Sequence, residues 1–577
     1  MLAPWLLIIP LVGALAIIFA PPHQAKWIAM GTSILTFLYS LALMPVFGVW
    51  GTAEFGLVET YPWLDRFGIT IGLGADSVAM LLVLLSTFLM PLCVWGSFTA
   101  VQDRLREYYG WLLVMLAAMV GVFIATDLIL FYICFEFTLV PMFFLIAIYG
   151  GENRDKASIK FFIYTFTGSL IALAGLLYVA WQYSIAAGAW NFDIPSLTAF
   201  ASTMSLTEQS WILLALMAGF AVKVPLFPVH TWLPLAHTEA PTAGSVILAA
   251  VLLKLGTYGL YRFVLPMVPE AVIEYAPLIA VLSIIGILYA GLICWVQTDI
   301  KKLIAYSSVS HLGFCVLGLF ALNPLGLQGS VLYMINHGLS TGALFFLIGM
   351  IYERYHTREM DHMSGLARRM PIWAFFMVFF VLASVGLPGL NGFVSEFLCL
   401  IGAFISTPDN VTHPGVLGPW YAAFAGAGMI VAAMYLLIMV GKVVFGPLKE
   451  PHHHHHHHHH HSEQKLPADL TMREIGVLVP LAVLCLVLGL YPKIATDAMS
   501  GSVNKMASIY PARVLEHIRT AEHPNSRSWE TASTVEIADS AASTTETLAP
   551  ETASVAADLD VLTFGRSDVF PEDRIDG

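Results

Sequence analysis

Charged residues are scarce in this sequence of 577 residues. Asp, Glu, Lys and Arg together make up 11% of the chain and hydrophobic residues make up 58%, whereas a soluble globular protein carries about 25% charged residues. The mean hydropathy is +0.76. This balance excludes an ordinary soluble domain and indicates a polytopic membrane protein.

Two further patterns are missing. Barrel strands would show period-2 alternation over about ten residues, and no segment of the chain does, so the spans are predicted to be helices. The first apolar stretch, LAPWLLIIPLVGALAIIFA, lacks a positively charged start and a small-residue cleavage site. We therefore expect it to be the first span and not a cleaved signal peptide.

Paired cysteine motifs are also missing. All six cysteines lie within apolar segments and have no paired spacing, which predicts buried small side chains and excludes disulfides, zinc ligands and cluster ligands. The chain has no Gly-rich nucleotide loop either. The cysteines are Cys93, Cys134, Cys294, Cys315, Cys399 and Cys485.

About fourteen apolar stretches are long enough to span a bilayer as helices. The predicted fold class is therefore an all-α polytopic membrane protein. The predicted spans are 3–20, 27–50, 77–99, 110–126, 128–149, 159–184, 210–229, 243–265, 275–296, 301–321, 329–351, 372–405, 419–445 and 473–494.

Positive charge is distributed very unevenly between the two sides. Loops after odd-numbered spans carry sixteen Lys and Arg residues, and loops after even-numbered spans carry only Arg66 and Arg262. Cytoplasmic loops are enriched in Lys and Arg. Both termini are therefore predicted to lie on the non-cytoplasmic side. The predicted location is the inner (plasma) membrane of a bacterium.

The spans group into larger units. We predict N-terminal helices 1–3 in residues 1–100, a five-helix repeat in 101–268, a second in inverted topology in 269–446, and helix 14 in 472–496. Between them lies a His-rich cytoplasmic loop, 447–471, whose run of ten histidines is either native or a purification tag. Residues 497–577 are acidic and rich in Ser, Thr and Ala, which predicts a disordered tail.

Six ionisable residues lie at apparent bilayer depth. A charge there costs about 2.5–3.5 kcal/mol on insertion scales, so it must face protein or water. A lone buried His is often a satisfied core residue, and a lone Glu can simply bond two helices. Six such groups in six spans favour a proton relay over structural polar contacts, because each changes charge by one proton. They are Glu136, Lys223, Lys254, His311, His337 and Glu396.

Two spans contain helix breakers beside these charges. Span 7 has Pro225 and Pro228 shortly after Lys223, and span 12 has the segment GLPGLNGF just before Glu396. Proline removes a backbone donor and opens the helix, although such kinks are common in membrane helices. The adjacent charges favour functional breaks like those of inverted-repeat transporters.

Five segments resemble the antiporter-like, proton-pumping membrane subunits of complex I (NADH:quinone oxidoreductase), which are related to Mrp-type cation/proton antiporter subunits. The resemblance covers residues 75–495, and its M-type branch fits best because that branch carries a glutamate at the broken twelfth span. The segments are FEFTLVPMFFLI, KVPLFPVHTWLPLAHTEAPTAGSVILAAVLLKLGTYGLYR, QTDIKKLIAYSSVSHLGF, MINHGLSTGALFFLIG and GLPGLNGFVSEF.

The resemblance implies a role for each buried charge. Glu136 would pair with Lys223, Lys254 would be the central relay lysine, and His311 and His337 would lead to Glu396 on the exit side. NADH, FMN, iron–sulfur clusters and quinone would be bound by partner subunits. Neighbours would be L- and N-type antiporter-like subunits in the bilayer, with no nucleic acid.

Other functions remain open at this point. The chain could be an antiporter subunit without a redox partner, part of a hydrogenase-type membrane arm, or a structural scaffold. Genomic neighbours distinguish a complex I subunit from the antiporter and the hydrogenase-type arm, and mutation of the buried charges distinguishes the scaffold. The roles of His230, His237 and Glu239 are open, and Lys301 with Lys302 is interpreted as a loop charge.

The relay interpretation predicts that Lys223→Ala or Glu136→Ala severely reduces proton translocation while the protein still inserts. The reason is that either change removes one proton-carrying group from the line. Proton uptake into reconstituted vesicles measures it. Normal pumping by either variant would contradict the relay and is the result expected of a scaffold.

Overall fold

Helices make up most of the described part of the chain, which comprises residues 1–46, 55–451 and 468–522 of the computed structural model. The first twelve are α1 Trp5–Phe19, α2 Ala25–Leu43, α3 Ser77–Gly96, α4 Leu105–Ile124, α5 Leu128–Phe137, α6 Leu139–Tyr149, α7 Arg154–Ala187, α8 Ile194–Ala201, α9 Leu206–Lys223, α10 Leu233–Glu239, α11 Thr242–Ile247 and α12 Leu253–Gly259. The others are α13 Leu265–Met267, α14 Pro269–Trp295, α15 Ile300–Leu319, α16 Pro324–Tyr355, α17 Pro371–Val385, α18 Asn391–Ile405, α19 Pro419–Val443, α20 Met472–Leu490, α21 Lys493–Ala507 and α22 Pro511–Glu522.

Eleven helical segments in the described residues are long and apolar enough to cross a membrane. The three other predicted spans are the shorter α1, the helix α9 with the proline break after it, and the pair α17 and α18. The helical membrane fold is thereby confirmed. The count of fourteen, the domain boundaries and the inverted repeats stay predictions.

A two-stranded antiparallel sheet follows the second span, which the all-helical prediction did not include. Strand β1 is Gly56–Leu64 and β2 is Ile69–Ala75, with Tyr61 opposite Ile71. The turn closes at Gly68, whose φ of 67° is in the left-handed region that favours glycine. The Asp127 carboxylate accepts a bond of 3.1 Å from Thr70 N and also caps α5, which ties the hairpin to the bundle.

The break after α9 has its backbone groups satisfied within the protein. Pro225 has no N–H, so the Ala221 carbonyl accepts instead from Leu226 N at 2.7 Å. The freed Val222 carbonyl accepts from the buried Trp232 indole at 2.9 Å. The helix therefore ends at Lys223 without leaving these carbonyls unpaired, as burial at membrane depth demands.

The predicted span 372–405 is two helices, α17 and α18. Gly386, with a φ of 85°, ends α17, and the Leu387 N–H bonds back to the Leu382 carbonyl at 3.1 Å. This is the left-handed termination that favours glycine. A Cβ at Gly386 would collide with Glu396 Oε2, so the break brings that carboxyl against the end of α17.

The eighth predicted span is helical throughout but contains two π-helical turns. They are Leu248–Leu252 and Leu260–Val264, and α12 lies between them. Such turns occur mostly as single insertions in helices and are frequent at functional sites. Lys254 is the second residue of α12, directly after the first wide turn.

The prediction of a disordered tail from residue 497 differs from the structure up to residue 522. In α21 the buried residues Ala495, Ala498, Met499, Ser502 and Val503 recur at helical spacing, which forms one face that packs on the membrane bundle. Small and polar members of that face had hidden the pattern. The chain divides into units Met1–Ile518 and Arg519–Gly577. Residues 523–577 and the histidine run lie outside the described residues.

Arg262 is not a loop charge, although the sequence-based count placed it in a loop after an even-numbered span. It is buried, and its guanidinium lies 2.7 Å from Asp76 Oδ1. Its Nε donates to the Tyr258 hydroxyl at 3.1 Å, and that hydroxyl donates to the Phe123 carbonyl at 3.1 Å. The network joins the start of α3 to the end of the eighth predicted span. The loops after even-numbered spans therefore carry even less positive charge than the sequence count gave them.

We expect Arg262→Ala to destabilise the protein by about 3–5 kcal/mol, because it leaves Asp76 as an unpaired buried charge. The measurement is the thermal unfolding midpoint of the detergent-solubilised protein. Arg66→Ala is the matched control, since Arg66 is exposed. Equal unfolding midpoints for the two variants would contradict a stabilising role of the buried ion pair between Arg262 and Asp76.

Candidate functional site

Lys254 and His337 are in direct contact at the centre of the bundle. Lys254 Nζ lies 2.6 Å from His337 Nδ1, and both side chains are buried. An ammonium has only donors, so in the charged state Lys254 donates and the His337 proton is on Nε2. The sequence predicted both residues but not their contact. The two form a donor–acceptor pair through which one proton can be exchanged.

The π-helical turn before Lys254 supplies its second partner. Leu253 N–H bonds to the carbonyl of Leu248, five residues earlier, and not to Ala249. The Ala249 carbonyl accepts a hydrogen bond from Lys254 Nζ. The wide turn therefore provides an oxygen that stabilises the buried ammonium.

His311 lies next to His337 without bonding to it. The two ring centroids are 5.7 Å apart, and neither Nε2 atom has a hydrogen-bond partner in the described part of the chain. A polar cavity of about 10 Å³ adjoins both rings, which is about the size that one water molecule requires. Asn336 and Ser384 also line it, each with a buried polar atom lacking a protein partner.

His311 and Glu396 are joined through a tyrosine that the sequence interpretation did not identify. The Tyr333 hydroxyl lies 2.8 Å from His311 Nδ1 and donates to Glu396 Oε1 at 2.8 Å. The direct distance from His311 Nδ1 to Glu396 Oε1 is 3.7 Å. Tyr333 could have been found from its spacing, since it precedes His337 by four residues on α16 and so shares its face.

Two asparagines position this end of the site. Asn336 Nδ2 donates to the Asn391 carbonyl at 2.7 Å, and Asn391 Nδ2 donates to the Asn336 carbonyl at 3.3 Å. Asn391 is the first residue of α18, which carries Glu396. The reciprocal amide bonds thus fix the broken twelfth span against α16.

Glu136 and Lys223 are neighbours that are not bonded in this structure. Lys223 Nζ lies 5.0 Å from the ring centroid of Phe135, and neither Lys223 Nζ nor Glu136 Oε1 has a hydrogen-bond partner among the residues described. Each still acts electrostatically on the other. The hydroxyls of Tyr132 and Ser169 are also close to the Glu136 carboxyl. The expected direct pair is absent here, although the two groups are placed to approach.

Lys223 is packed directly against the helix that carries Lys254. A Cβ at Gly256 would lie 3.0 Å from Lys223 Cβ and 2.7 Å from Val224 N. Only a glycine allows this close approach of the broken helix to α12. The site thus has two parts in contact. One is Glu136 with Lys223, and the other is the line from Lys254 to Glu396, which is hydrogen-bonded except between His337 and His311.

Two further ionisable side chains, His237 and Lys301, are buried in the bundle. His237 is fully buried on α10, stacks on Phe345 at 4.7 Å, and neither ring nitrogen has a partner within the described ranges. Lys301 is also buried, and its Nζ donates to the Ala240 carbonyl at 2.6 Å. The interpretation of Lys301 as a loop charge is therefore corrected. The sequence did not indicate that Lys301 is buried, because this residue lies at the predicted edge of a span.

The arrangement is suited to moving protons. Every member of this line can gain or lose one proton. Consecutive members are hydrogen-bonded except His337 and His311, whose rings adjoin the same small cavity. No group of three or more His, Cys, Asp and Glu side chains in the described residues could hold a metal ion. The described cysteines are free.

Comparisons with known proteins agree on one family. The family model described as NADH:quinone oxidoreductase/Mrp antiporter, transmembrane, matches residues 125–418. NADH-quinone oxidoreductase subunit M of Rhodobacter capsulatus is 42% identical over 85% of this chain and 92% of its own length. NADH-ubiquinone oxidoreductase chain 4 of Marchantia polymorpha is 39% identical over 87% and 96%. A chain of respiratory complex I from Thermus thermophilus superposes with a TM-score of 0.76 at 30% identity, covering 89% of this chain and all of that one.

Proposed function

Because this chain belongs to the NADH:quinone oxidoreductase/Mrp antiporter transmembrane family, we propose that it is the proton-translocating M-type subunit of a complex I-type NADH:quinone oxidoreductase. The observation that carries the proposal is the line of buried contacts from Lys254 through His337 and His311 to Glu396. The names of the similar proteins support the oxidoreductase over an antiporter without redox partners.

Protons move along the line one at a time. Each imidazole takes a proton on one ring nitrogen and gives one from the other, so it returns to its starting tautomer before the next proton follows. Lys254 gives a proton to His337 Nδ1 across 2.6 Å. The proton on His337 Nε2 reaches His311 Nε2 through a water molecule in the small cavity between the rings. His311 then supplies Glu396, which releases the proton on the exit side.

Glu136 and Lys223 control when the line is loaded. With Glu136 ionised and close, the charged form of Lys223 is favoured. With the two apart, burial disfavours that charge and Lys223 gives up its proton. The unbonded geometry corresponds to the separated arrangement. The break at Pro225, next to Lys223, is where the helix can change direction.

Redox chemistry belongs to other subunits in this proposal. NADH, FMN, iron–sulfur clusters and quinone are held there, and the energy reaches this chain as a conformational or electrostatic change. The neighbours in the bilayer are other antiporter-like subunits. The protein lies in the bacterial plasma membrane, with both termini on the non-cytoplasmic side.

The test is Lys254→Met in the assembled complex, with Lys302→Met as the matched control because Lys302 is an exposed lysine. Methionine has nearly the length of lysine but carries no proton. We expect Lys254→Met to lose most NADH-driven proton uptake into vesicles and the control to keep it. Proton uptake by the Lys254 variant at the rate of the control would overturn the proposal.

Co-purification separates the complex I assignment from an antiporter. We expect NADH-binding and iron–sulfur subunits to co-purify with this chain after mild solubilisation. Recovery of only small antiporter subunits would assign the chain to a cation/proton antiporter instead.

Reporter fusions test the sidedness. Alkaline phosphatase is active only outside the cytoplasm, and we expect activity when it is fused after residue 522 and none when it is fused within the loop 447–471. The charge asymmetry of the loops is the physical reason. The reverse pattern of activity would show the opposite orientation.

A further inference from the structure

We propose that the Tyr333 hydroxyl is the relay group that carries the proton from His311 to Glu396. This inference rests on the proposed function, because it names a further proton-carrying residue of the same line. Tyr333 is outside the set of six groups that the sequence identified. It is the one side chain in the described residues that bonds to both His311 Nδ1 and Glu396 Oε1.

The distances require an intermediate group. His311 Nδ1 and Glu396 Oε1 are 3.7 Å apart, which is beyond the range of a hydrogen bond. Tyr333 Oη is 2.8 Å from each of these atoms, a normal length for a bond with a hydroxyl. A proton leaving His311 Nδ1 therefore meets the tyrosine oxygen before it meets the carboxylate.

A phenol hydroxyl has one proton to donate and lone pairs to accept another. In the resting arrangement Tyr333 donates to ionised Glu396 and accepts from His311 Nδ1–H. In the transfer, the Tyr333 O–H bond breaks as its proton joins Glu396 Oε1, and the His311 N–H bond breaks as its proton joins Tyr333 Oη. The imidazolium becomes neutral imidazole, the carboxylate becomes a carboxylic acid, and the tyrosine is unchanged.

The surroundings hold Tyr333 in the geometry that this transfer needs. The side chain is buried on α16, and its ring lies parallel to that of Phe314 within 8° at a centroid distance of 6.2 Å. The backbone at Asn336 is bonded to Asn391 at the start of α18. Both partners of the hydroxyl are therefore on helices fixed against α16.

Several titratable groups face Tyr333 and share its environment. On its own helix, His337 lies one turn away. The neighbouring helices contribute His311 from α15, Glu396 and Cys399 from α18, and Tyr435 from α19. Of these, only His311 and Glu396 bond to the hydroxyl among the residues described. A change of phenol acidity should therefore affect the step between these two groups.

The first experiment is Tyr333→Phe in the complete complex, reconstituted in vesicles. Phenylalanine keeps the ring that packs on Phe314 and removes only the hydroxyl. We expect NADH-driven proton translocation to fall by about 100-fold or more, since that is the lower end of the range for loss of a positioned proton-transfer group. Tyr109→Phe is the matched control, since it removes a buried tyrosine hydroxyl that has no partner within the described part of the chain.

The second experiment separates a relay from a structural bond. Replacement of Tyr333 by 3,5-difluorotyrosine keeps the hydroxyl and both hydrogen bonds but makes the phenol more acidic. We expect the pH profile of proton translocation and its solvent deuterium isotope effect to shift with this replacement. It also gives a result if Tyr333→Phe fails to assemble.

The outcomes distinguish this inference from the proposed function. If Tyr333→Phe pumps at the rate of the control while Lys254→Met does not, Tyr333 is not the relay and the proposed function stands. If fluorination leaves the pH profile and isotope effect unchanged, the hydroxyl is only structural and the inference is overturned. If Lys254→Met also pumps normally, the proposed function itself fails.

Discussion

The contact between Lys254 Nζ and His337 Nδ1 is the interaction on which the rest of the site depends. A buried ammonium loses its hydration, and the protein must replace the lost water with acceptors. Lys254 has two, the imidazole nitrogen and the Ala249 carbonyl. Both acceptors are neutral, so they stabilise the charged lysine and still allow it to give its proton away. A close carboxylate would hold that proton more strongly.

The backbone irregularities follow from the same demand for acceptors. In a regular helix each interior carbonyl already accepts a bond from a backbone N–H four residues later. The π-helical turn at Leu248–Leu252 makes the Ala249 carbonyl available to Lys254. The proline break ends α9 at Lys223 and the glycine break ends α17 against Glu396. Three different interruptions thus place three buried charges.

Much of the fold was predictable because lipid imposes strong rules on composition. Apolar stretches of about 20 residues indicate spanning helices, and the two breaks were visible as proline and glycine clusters. The hairpin of β1 and β2 was not predicted, since its strands are shorter than a membrane span and mix polar with apolar residues. The helix α21 was missed because Ala, Ser and Met on its buried face do not form an apolar run.

For the site, the sequence by itself identified the six ionisable residues of the predicted relay, because charge inside an apolar stretch is visible without coordinates. It misassigned Arg262 and Lys301, which lie at the predicted ends of spans. Only the tertiary structure decided their connections. Lys254 and His337 are 83 residues apart, and His311 and Glu396 are linked through Tyr333 on a third helix. Hydrogen bonds act over about 3 Å between atoms, and no spacing along one helix specifies which atoms of different helices come that close.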